Sequence, residues 1–430
     1  MISTTHPVTW VQTCFAEQNT GAEQAWLSLF RKKKLHDFLQ KGFPTKRDER
    51  WKYIDLSALS KTAFSAASLS EQSQRIKKFI SERKLQNDNT IIFINGHCAD
   101  IHMGQLPLGL IVCSLQQALL KDDMQIKSYL LTEQDHSFAA LNAALLTDGV
   151  FIQADKDVVV TKPIYCIYIS TEQQAFVACP NNRIVAKENS QLKLIEEYVS
   201  IDTESYFNNV HTTIHAEANA SVEYYKIQNE ALSANHIAHV TIYQQKQSQV
   251  KTYFFSNGAT LEREDVSVIQ LGDHAETRMI GFYKLGRDHQ QIDHHVQINH
   301  QASHGTSTML YKGIVDKKSK AIFNGKVWVG QKARKICAHQ ANHNLMLSDS
   351  AEVNAKPELE IYADDVKCAH GVTIGKINEQ SLFYLQSRGI PKTQALKIVM
   401  NAFFSDMLNH IADDPIKHYI ASQVNYDEPV

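Results

Sequence analysis

The chain has 430 residues, of which 43% are hydrophobic and 21% are charged, and its formal net charge is −2. This composition is typical of a soluble globular protein, and the length predicts two or three domains rather than a single core. Nucleic acid is an unfavoured partner, because the basic run "RKKK" at residues 31–34 is short and isolated.

The chain carries no sequence signal for export or for membrane insertion. Its first residues, "MISTTHPVTWVQTCFAEQ", lack the basic start and the continuous apolar run of a signal peptide. No apolar run approaches the roughly 20 residues that cross a bilayer, so we expect a cytoplasmic protein. The seven cysteines are odd in number and widely scattered, which argues against a disulfide framework and against a zinc ribbon.

The first third of the chain is predicted to be helical with short strands. Residues 21–42, "GAEQAWLSLFRKKKLHDFLQKG", place apolar side chains at helical spacing, and Gly42 stands where a helix C-cap is expected. In the following segment, "RDERWKYIDL", Trp51 and Tyr53 are candidates for pinning one element onto another. The stretches "IIFING" and "GLIVCS" predict short strands.

From about Gly149 the pattern changes to short β-type runs that are separated by Gly, Asn, Asp and His. No helix of ordinary length interrupts about 220 residues of this pattern, which excludes a βαβ sheet and leaves a sandwich, a barrel or a β-solenoid. The length of the region inclines the prediction toward the solenoid. Many of the 20 histidines fall here, and we expect most of them to be strand residues that hydrogen-bond within the sheets.

Two helices are predicted near the C-terminus. Asn378 is a suitable N-cap for the first helix, which should end before Gly389, and Pro391 fits the start of the second. The second helix carries one wide apolar stripe, made of Leu396, Val399, Met400, Phe403, Phe404, Met407 and Leu408. Such a small appendage has little core of its own, so we expect most of these side chains to pack on the β region.

The segment "EIYADDVKCAHGVTIGKIN", residues 360–378, concentrates groups that carry chemistry. A phosphate-binding loop is excluded, because "GVTIGKI" is one residue too short and has Ile377 where a hydroxyl must hold magnesium. A glycosidase pair is disfavoured too, because Asp364 and Asp365 would point to opposite faces of an extended strand.

Two readings of this segment remain: a metal site, and the end of a strand whose Cys and His side chains are simply buried. Cys368 and His370 are two residues apart, so both would project from one face of a strand, and thiolate with imidazole suits iron, copper and zinc. A closed site typically has four ligands. Further ligands would have to come from Cys337, His339 and His343, or from a second protein.

At this point the sequence resembles a known family. "KPELEIYADDVKCAHGVTIGKINEQSLFYLQSRGI" is similar to the signature of the SufB/SufD family of iron–sulfur cluster assembly proteins, and "RDERWKYIDL" and "ALNAALLTDGVFI" resemble two of its other segments. The resemblance implies a mainly β protein with helical ends. It would comprise an N-terminal helical region with short strands (1–147), a right-handed parallel β-helix core (148–371) and a C-terminal helical domain (372–430).

Two departures from the SufB pattern favour the SufD type. SufB-like chains carry His-Glu-Ala where this chain reads His370-Gly371-Val372, and they carry Gln-Cys-Asp near the segment "QANHN", where this chain has Asn342. The resemblance therefore implies that this chain cannot offer the thiolate and glutamate of a SufB-like subunit.

The resemblance also implies a function without catalysis by this chain. The chain would be a scaffold subunit of a SufBCD-type complex, and a SufC-like ABC ATPase would hydrolyse ATP. His370 would hold iron or a nascent cluster at the interface with a SufB-like paralogue, and Cys368 is a weaker candidate. The cluster would be transient and shared, with no tightly bound cofactor.

The remaining expectations concern partners. The SufC-like ATPase is expected on the C-terminal helices, at Leu396, Val399, Phe403 and Met407. The isolated chain could instead form a homodimer. The alternative function is that of a purely structural partner of the SufB-like and SufC-like subunits that touches no metal.

Overall fold

The computed structural model describes residues 9–18, 23–69, 74–83, 89–121, 124–131, 136–171, 174–201 and 204–423. The helices are α1 (Thr9–Gln18), α2 (Ala25–Lys41), α3 (Ser57–Lys61), α4 (Gln74–Glu82), α5 (Leu115–Leu119), α6 (Met124–Leu131), α7 (Ser137–Ala144), α8 (Glu379–Ser387), α9 (Lys392–Leu408) and α10 (Asp414–Gln423), with a 3-10 turn at Glu49–Trp51.

The strands begin with β1 (Ser65–Ala66), β2 (Thr90–Ile94), β3 (His97–His102), β4 (Leu110–Ser114), β5 (Val150–Ala154), β6 (Ile164–Ser170), β7 (Phe176–Ala178), β8 (Asn181–Ala186), β9 (Gln191–Ser200), β10 (Tyr206–Ala216) and β11 (Ser221–Asn229). They continue with β12 (Ala234–Gln244), β13 (Gln249–Ser256), β14 (Leu261–Gln270), β15 (Glu276–Leu285), β16 (Gln291–His300), β17 (Thr306–Val315), β18 (Lys320–Val329), β19 (Ile336–Met346), β20 (Glu352–Ile361) and β21 (Val366–Lys376).

These strands form two long sheets. The main path of the first sheet is β20-β18-β16-β14-β12-β10-β8-β5-β4, and the second sheet runs β21-β19-β17-β15-β13-β11-β9-β6-β2-β3. From β8 onward each strand pairs in parallel with the strand two places along the chain, so successive strands alternate between the sheets. This connectivity is a β-solenoid of about seven turns, and the predicted mainly β fold with helical ends is confirmed.

The turns show why the solenoid repeats without a repeated sequence motif. Left-handed backbone conformations recur 27 to 31 residues apart, at Asn189, Asn219, Gln247, His274, His304 and Lys335. Asparagine adopts this conformation most readily, but other side chains tolerate it as single residues. Neighbouring turns also bond to each other, since Asn219 Nδ2 donates to Asn189 Oδ1 at 2.9 Å. Backbone geometry, rather than residue identity, therefore sets the period.

The interior of the solenoid contains buried charges as well as apolar side chains. Tyr168 stacks on Tyr198 with ring centroids 4.7 Å apart. The buried Glu196 carboxylate accepts hydrogen bonds from the hydroxyls of Tyr198, at 2.7 Å, and Tyr224, at 2.9 Å. Buried charge is costly unless it is hydrogen-bonded in this way.

The two ends of the solenoid differ. At the N-terminal end the antiparallel strands β3 and β4 close the two sheets. At the C-terminal end the sheets terminate in β20 and β21, and no further described strand pairs with them. Most residues of β21 are exposed. The last coil thus presents an open edge, with backbone groups available for pairing.

The N-terminal helical region packs against the outer face of the first sheet. Trp51 is held between the Phe138 ring, at a centroid distance of 5.1 Å, and the Arg263 guanidinium, at 3.9 Å. Arg50 beside it donates to Asp265 Oδ1 at 2.9 Å. Trp51 therefore holds the N-terminal region against the first sheet, as predicted. The predicted helix before it is confirmed as well, because Gly42 ends α2 with φ of 65° and its backbone N–H donates to Phe38 O.

The C-terminal helices α9 and α10 pack against the second sheet. The Phe404 ring lies 4.5 Å from the Phe282 ring, centroid to centroid, and Tyr419 donates its hydroxyl proton to the buried carboxylate of Glu197 at 2.5 Å. Met407 is fully buried in the same cluster. The expectation that most of the apolar stripe packs on the β region is therefore confirmed for Met400, Phe404, Met407 and Leu408, which are buried in this cluster.

Helix α8 differs from α9 and α10, because none of its residues is buried. Its N-cap is the predicted one, since Asn378 Oδ1 accepts hydrogen bonds from the backbone N–H groups of Gln380 and Ser381. Strand β21, which precedes α8, continues to Lys376 and so runs past the predicted end of the core at residue 371.

The division into regions 1–147, 148–371 and 372–430 stays a prediction.

Candidate functional site

His370 and Cys368 lie side by side on β21, the last strand of the second sheet. In the register between β19 and β21, Cys368 pairs with Ala338 and His370 pairs with Gln340. Paired residues of a parallel sheet share a face, and both Ala338 and Gln340 are buried in the solenoid. Cys368 and His370 therefore stand on the inner face of the last coil, which no other described strand covers.

The two side chains differ in exposure. His370 is exposed, and within the described part of the chain no hydrogen-bond partner is recorded for its ring. Cys368 is half-buried against an apolar cluster that includes Val329 and Ile336. This burial raises the pKa of the Cys368 thiol, so the thiol is protonated at neutral pH and becomes a metal ligand only when a metal displaces its proton.

The other ligand candidates on this sheet occupy the opposite face. Along β19 buried and more exposed positions alternate, and Cys337, His339 and His343 are the more exposed ones. Cys337 Sγ lies 3.6 Å from His339 Nε2, whereas His343 Nδ1 lies 2.8 Å from Thr373 Oγ1. These three residues therefore do not complete a site with Cys368 and His370.

No metal centre is complete in this chain as far as the structure describes it. Among the described residues, no group of three or more His, Cys, Asp or Glu side chains is arranged to hold a metal ion. The pair on β21 is at most half of a site, and its remaining ligands would have to come from outside the chain.

The two aspartates and the Gly-Lys pair of this segment have structural surroundings that the sequence did not predict. Asp364 and Asp365 lie in the turn before β21, not in a strand. The backbone carbonyl of Asp365 accepts a hydrogen bond from Lys335 N, so this turn docks on the preceding one. Lys376, at the end of β21, pairs with the Asp349 carboxylate.

The predicted docking residues of α9 are not equally accessible. Met407 is fully buried, and Leu396, Val399 and Phe403 are half-buried. The exposed apolar side chains nearby are others: Phe383 and Tyr384 on α8 are 72% and 58% exposed, and Ile398 on α9 is 45% exposed. Sequence periodicity did not single out these three, because it reports the buried face of a helix better than the face that is left open.

The strand histidines are largely internal. His236 Nδ1 lies 2.7 Å from Glu230 Oε2, and His295 Nε2 lies 3.0 Å from Asp293 Oδ1. His300 Nε2 is 2.9 Å from Ser307 Oγ. All three histidines are buried. The prediction of a hydrogen-bonded strand residue is confirmed for His300, whereas His236 and His295 lie against carboxylates at ion-pair distance without a hydrogen bond that meets geometric criteria.

Comparison with known proteins identifies the family. Residues 168–403 match the model of the SUF system FeS cluster assembly SufBD core domain, and residues 15–166 match the SufBD protein N-terminal region. The chain therefore belongs to the SufBD family of iron–sulfur cluster assembly proteins. None of the helices that the structure describes is long and apolar enough to cross a membrane.

Individual relatives agree over most of their length. The chain is 31% identical to the iron-sulfur cluster assembly SufBD family protein slr0076 of Synechocystis, covering 86% of this chain and 84% of the relative. It is 27% identical to the iron-sulfur cluster assembly protein SufD of Escherichia coli, over 96% and 98% of the two chains. It is 24% identical to SufD of Bacillus subtilis, over 94% of each.

Proposed function

We propose that this chain is a SufD-type scaffold subunit that contributes half of a transient iron or iron–sulfur site at the open end of its solenoid. The observation that carries this proposal is the exposed His370 ring, which has no hydrogen-bond partner among the described residues and stands on the same strand face as Cys368, on the last described coil. A SufB-like paralogue would cover the open coil and supply the missing ligands.

The chemistry of the pair suits a site that must release what it holds. Neutral imidazole binds iron, but a set containing imidazole holds a cluster less firmly than four thiolates. The thiol of Cys368 must lose a proton before it ligates, and its burial makes that loss harder. His370 is therefore the primary ligand of the chain, and Cys368 is an accessory one.

The proposal predicts that replacing His370 with alanine lowers iron retention and cluster formation by at least about tenfold, the range expected when even a supporting group of a metal site is lost. The chain should still fold and still assemble, because the ring is exposed and makes no recorded internal contact in the described structure. The measurement is anaerobic iron and sulfide analysis of the co-expressed complex, together with visible absorption of the cluster.

His339→Ala is the matched control, because His339 is also exposed but lies on the opposite face of the neighbouring strand. It should leave cluster formation unchanged. Normal cluster formation by the His370→Ala complex would contradict the metal role and would favour the purely structural alternative. A Cys368→Ala variant should show a smaller loss than His370→Ala.

We further propose that the exposed apolar side chains of α8 and α9 receive a SufC-like ATPase. Phe383, Tyr384 and Ile398 are exposed at this end of the chain. Large aromatic side chains left in water are typical of protein interfaces. The half-buried Leu396, Val399 and Phe403 lie in the same helical pair, and the buried Met407 would support the surface from beneath.

Replacing Phe383 with serine should weaken ATPase docking by more than about tenfold, since a buried aromatic anchor at an interface typically contributes 2 kcal/mol or more. Titration calorimetry with the purified ATPase would measure the affinity. Leu108→Ser is the matched control, because Leu108 is 99% exposed and lies in the N-terminal region. Equal affinities for the two variants would contradict this docking surface.

A further inference from the structure

Three buried amide side chains lie beside the last strand on the inner face of the solenoid. Gln340, Asn342 and Asn344 occupy alternate positions of β19, and all three are buried. In the strand register they pair, in that order, with His370, Val372 and Ile374 of β21. Because paired residues of a parallel sheet share a face, each amide is the neighbour of one inner-face position of the last coil.

The three amides differ in their hydrogen bonds. Asn342 Oδ1 accepts a hydrogen bond from Asn344 Nδ2 at 2.6 Å, and Asn344 Oδ1 accepts one from the Tyr283 hydroxyl at 2.5 Å. Gln340 Oε1 is buried and accepts no hydrogen bond from any described residue. A buried acceptor without a partner is costly in a folded protein, so this oxygen needs a physical explanation.

The orientation of the Gln340 amide is fixed by the opposite sheet. Its Nε2 donates to Gly325 O on β18 at 2.9 Å, and a backbone carbonyl can only accept. Gly325 also leaves room for the amide, since a Cβ at that position would lie 2.2 Å from Gln340 Nε2. The amide therefore keeps its nitrogen on the carbonyl, and its oxygen stays available as an acceptor.

The residue that pairs with this acceptor is the candidate ligand. Val372 and Ile374 are apolar, so His370 is the only one of the three register partners with a polar side chain. In the open coil, solvent can bond the exposed His370 ring. A subunit that covers the coil removes that solvent, and a ring N–H taken out of water needs an acceptor from protein.

We propose that Gln340 is the positioning residue of the half-site. In the assembled complex its side-chain carbonyl accepts a hydrogen bond from His370 Nδ1–H, which holds the ring in one tautomer and leaves Nε2 for iron. This inference rests on the proposed function. Histidines that bind metals commonly donate their other ring N–H to a carbonyl or carboxylate, and loss of that partner typically costs about 10- to 100-fold in metal affinity.

The first test measures the tautomer of His370 in the metal-free complex with the SufB-like subunit. ¹⁵N NMR of the histidine-labelled chain distinguishes Nδ1–H from Nε2–H, and the His370→Ala complex identifies the signal by its absence. We expect the Nδ1–H form in the parent complex, and the Nε2–H form there would overturn the inference without any change at Gln340. In Gln340→Met, which keeps the length of the side chain but has no carbonyl, the Nδ1–H form should no longer dominate.

The second test measures the affinity of the same complex for Fe²⁺ alone. Gln340→Met should weaken Fe²⁺ binding by at least about tenfold. Gln340→Glu should retain the parent affinity, because a buried carboxyl stays protonated and can donate to Gly325 O while its other oxygen accepts from His370. Equal losses in the Met and Glu variants would show that the acceptor is not the group that matters.

Gln270→Met is the matched control for general damage to the solenoid. Gln270 on β14 is also buried, and its Oε1 likewise has no hydrogen-bond partner among the described residues. It lies three strands from the open end of the first sheet, so this variant should leave Fe²⁺ affinity and the His370 tautomer unchanged. A loss of affinity equal to that of Gln340→Met would contradict the positioning role.

The outcomes distinguish this inference from the proposed function. If His370→Ala abolishes Fe²⁺ binding while Gln340→Met keeps the parent affinity and tautomer, the half-site stands and Gln340 does not position it. If His370→Ala binds Fe²⁺ as the parent complex does, the half-site itself fails, and the positioning role fails with it.

Discussion

Replacing Gly281 with alanine is expected to lower the free energy of unfolding by about 3 kcal/mol, the upper part of the usual range for overfilling a packed core. Gly281 on β15 pairs with Tyr311 on β17, and a Cβ at Gly281 would lie 2.0 Å from the Tyr311 ring. The ring is fully buried and packs on Phe323, at a centroid distance of 5.0 Å, so it has little room to move.

The arrangement is reciprocal, which strengthens the expectation. Tyr283 pairs with Gly313, and a Cβ at Gly313 would lie 2.0 Å from the Tyr283 ring. Each glycine thus leaves space for a tyrosine of the adjacent strand. Removing that space at one position forces a ring into atoms that are already close-packed.

Gly375→Ala is the matched control for this prediction. Gly375 is also an in-strand glycine of the second sheet, but it lies on the open coil and a Cβ there would meet nothing within 4 Å. This variant should be as stable as the parent chain or more stable by up to about 1 kcal/mol, because alanine loses less backbone entropy than glycine on folding. Urea unfolding followed by circular dichroism would measure both variants, and equal midpoints would contradict the packing argument.

Acid should destabilise the protein steeply below pH 6.5, through its buried histidines. Burial lowers the pKa of His300 to about 4, and burial together with Arg183 lowers the pKa of His215 to about 4. An unfolded chain takes up these protons below pH 6.5, whereas the folded chain takes them up only near pH 4. The unfolded state is therefore favoured progressively as the pH falls through this window.

The expected size of this effect follows from the difference in pKa. At pH 5 each of these histidines should reduce the free energy of unfolding by about 2 kcal/mol relative to neutral pH, at 1.36 kcal/mol per pH unit. His300→Gln should remove one such contribution, so that the loss of stability between pH 7 and pH 5 becomes about 2 kcal/mol smaller. Denaturant unfolding at a series of pH values would measure the slope.

The control for the acid prediction is His289→Asn. His289 is exposed in a turn with φ of 65°, where asparagine is well tolerated. Its replacement should leave the pH slope unchanged. The same slope for the parent chain and for His300→Gln would show that His300 is not the group responsible.

Local signals in the sequence were enough to predict several elements. Gly42 and Asn378 were predicted as helix caps because each residue type satisfies a specific backbone need, and the structure places them there. The placement of Cys368 and His370 on one strand face followed from strand periodicity alone. The choice of a solenoid over a sandwich or barrel needed the family resemblance, because left-handed turn residues as different as Asn219 and Lys335 leave no common motif.

The relations between coils could not be predicted from local signals. Whether Cys337 shares a face with Cys368 depends on the register between β19 and β21, and that register is set by the turn that joins their coils. The contact between Lys312 and Asp406 joins residues 94 positions apart in the chain. Such long-range pairs follow from the number of residues in each coil, and a single sequence does not report that number.

The last coil, which no other described strand extends, has a consequence for the isolated chain. Strands β20 and β21 offer a ready template for another extended backbone, and Tyr362 beside them is 60% exposed. Isolated chains would therefore be prone to pair through these strands and to stack end to end.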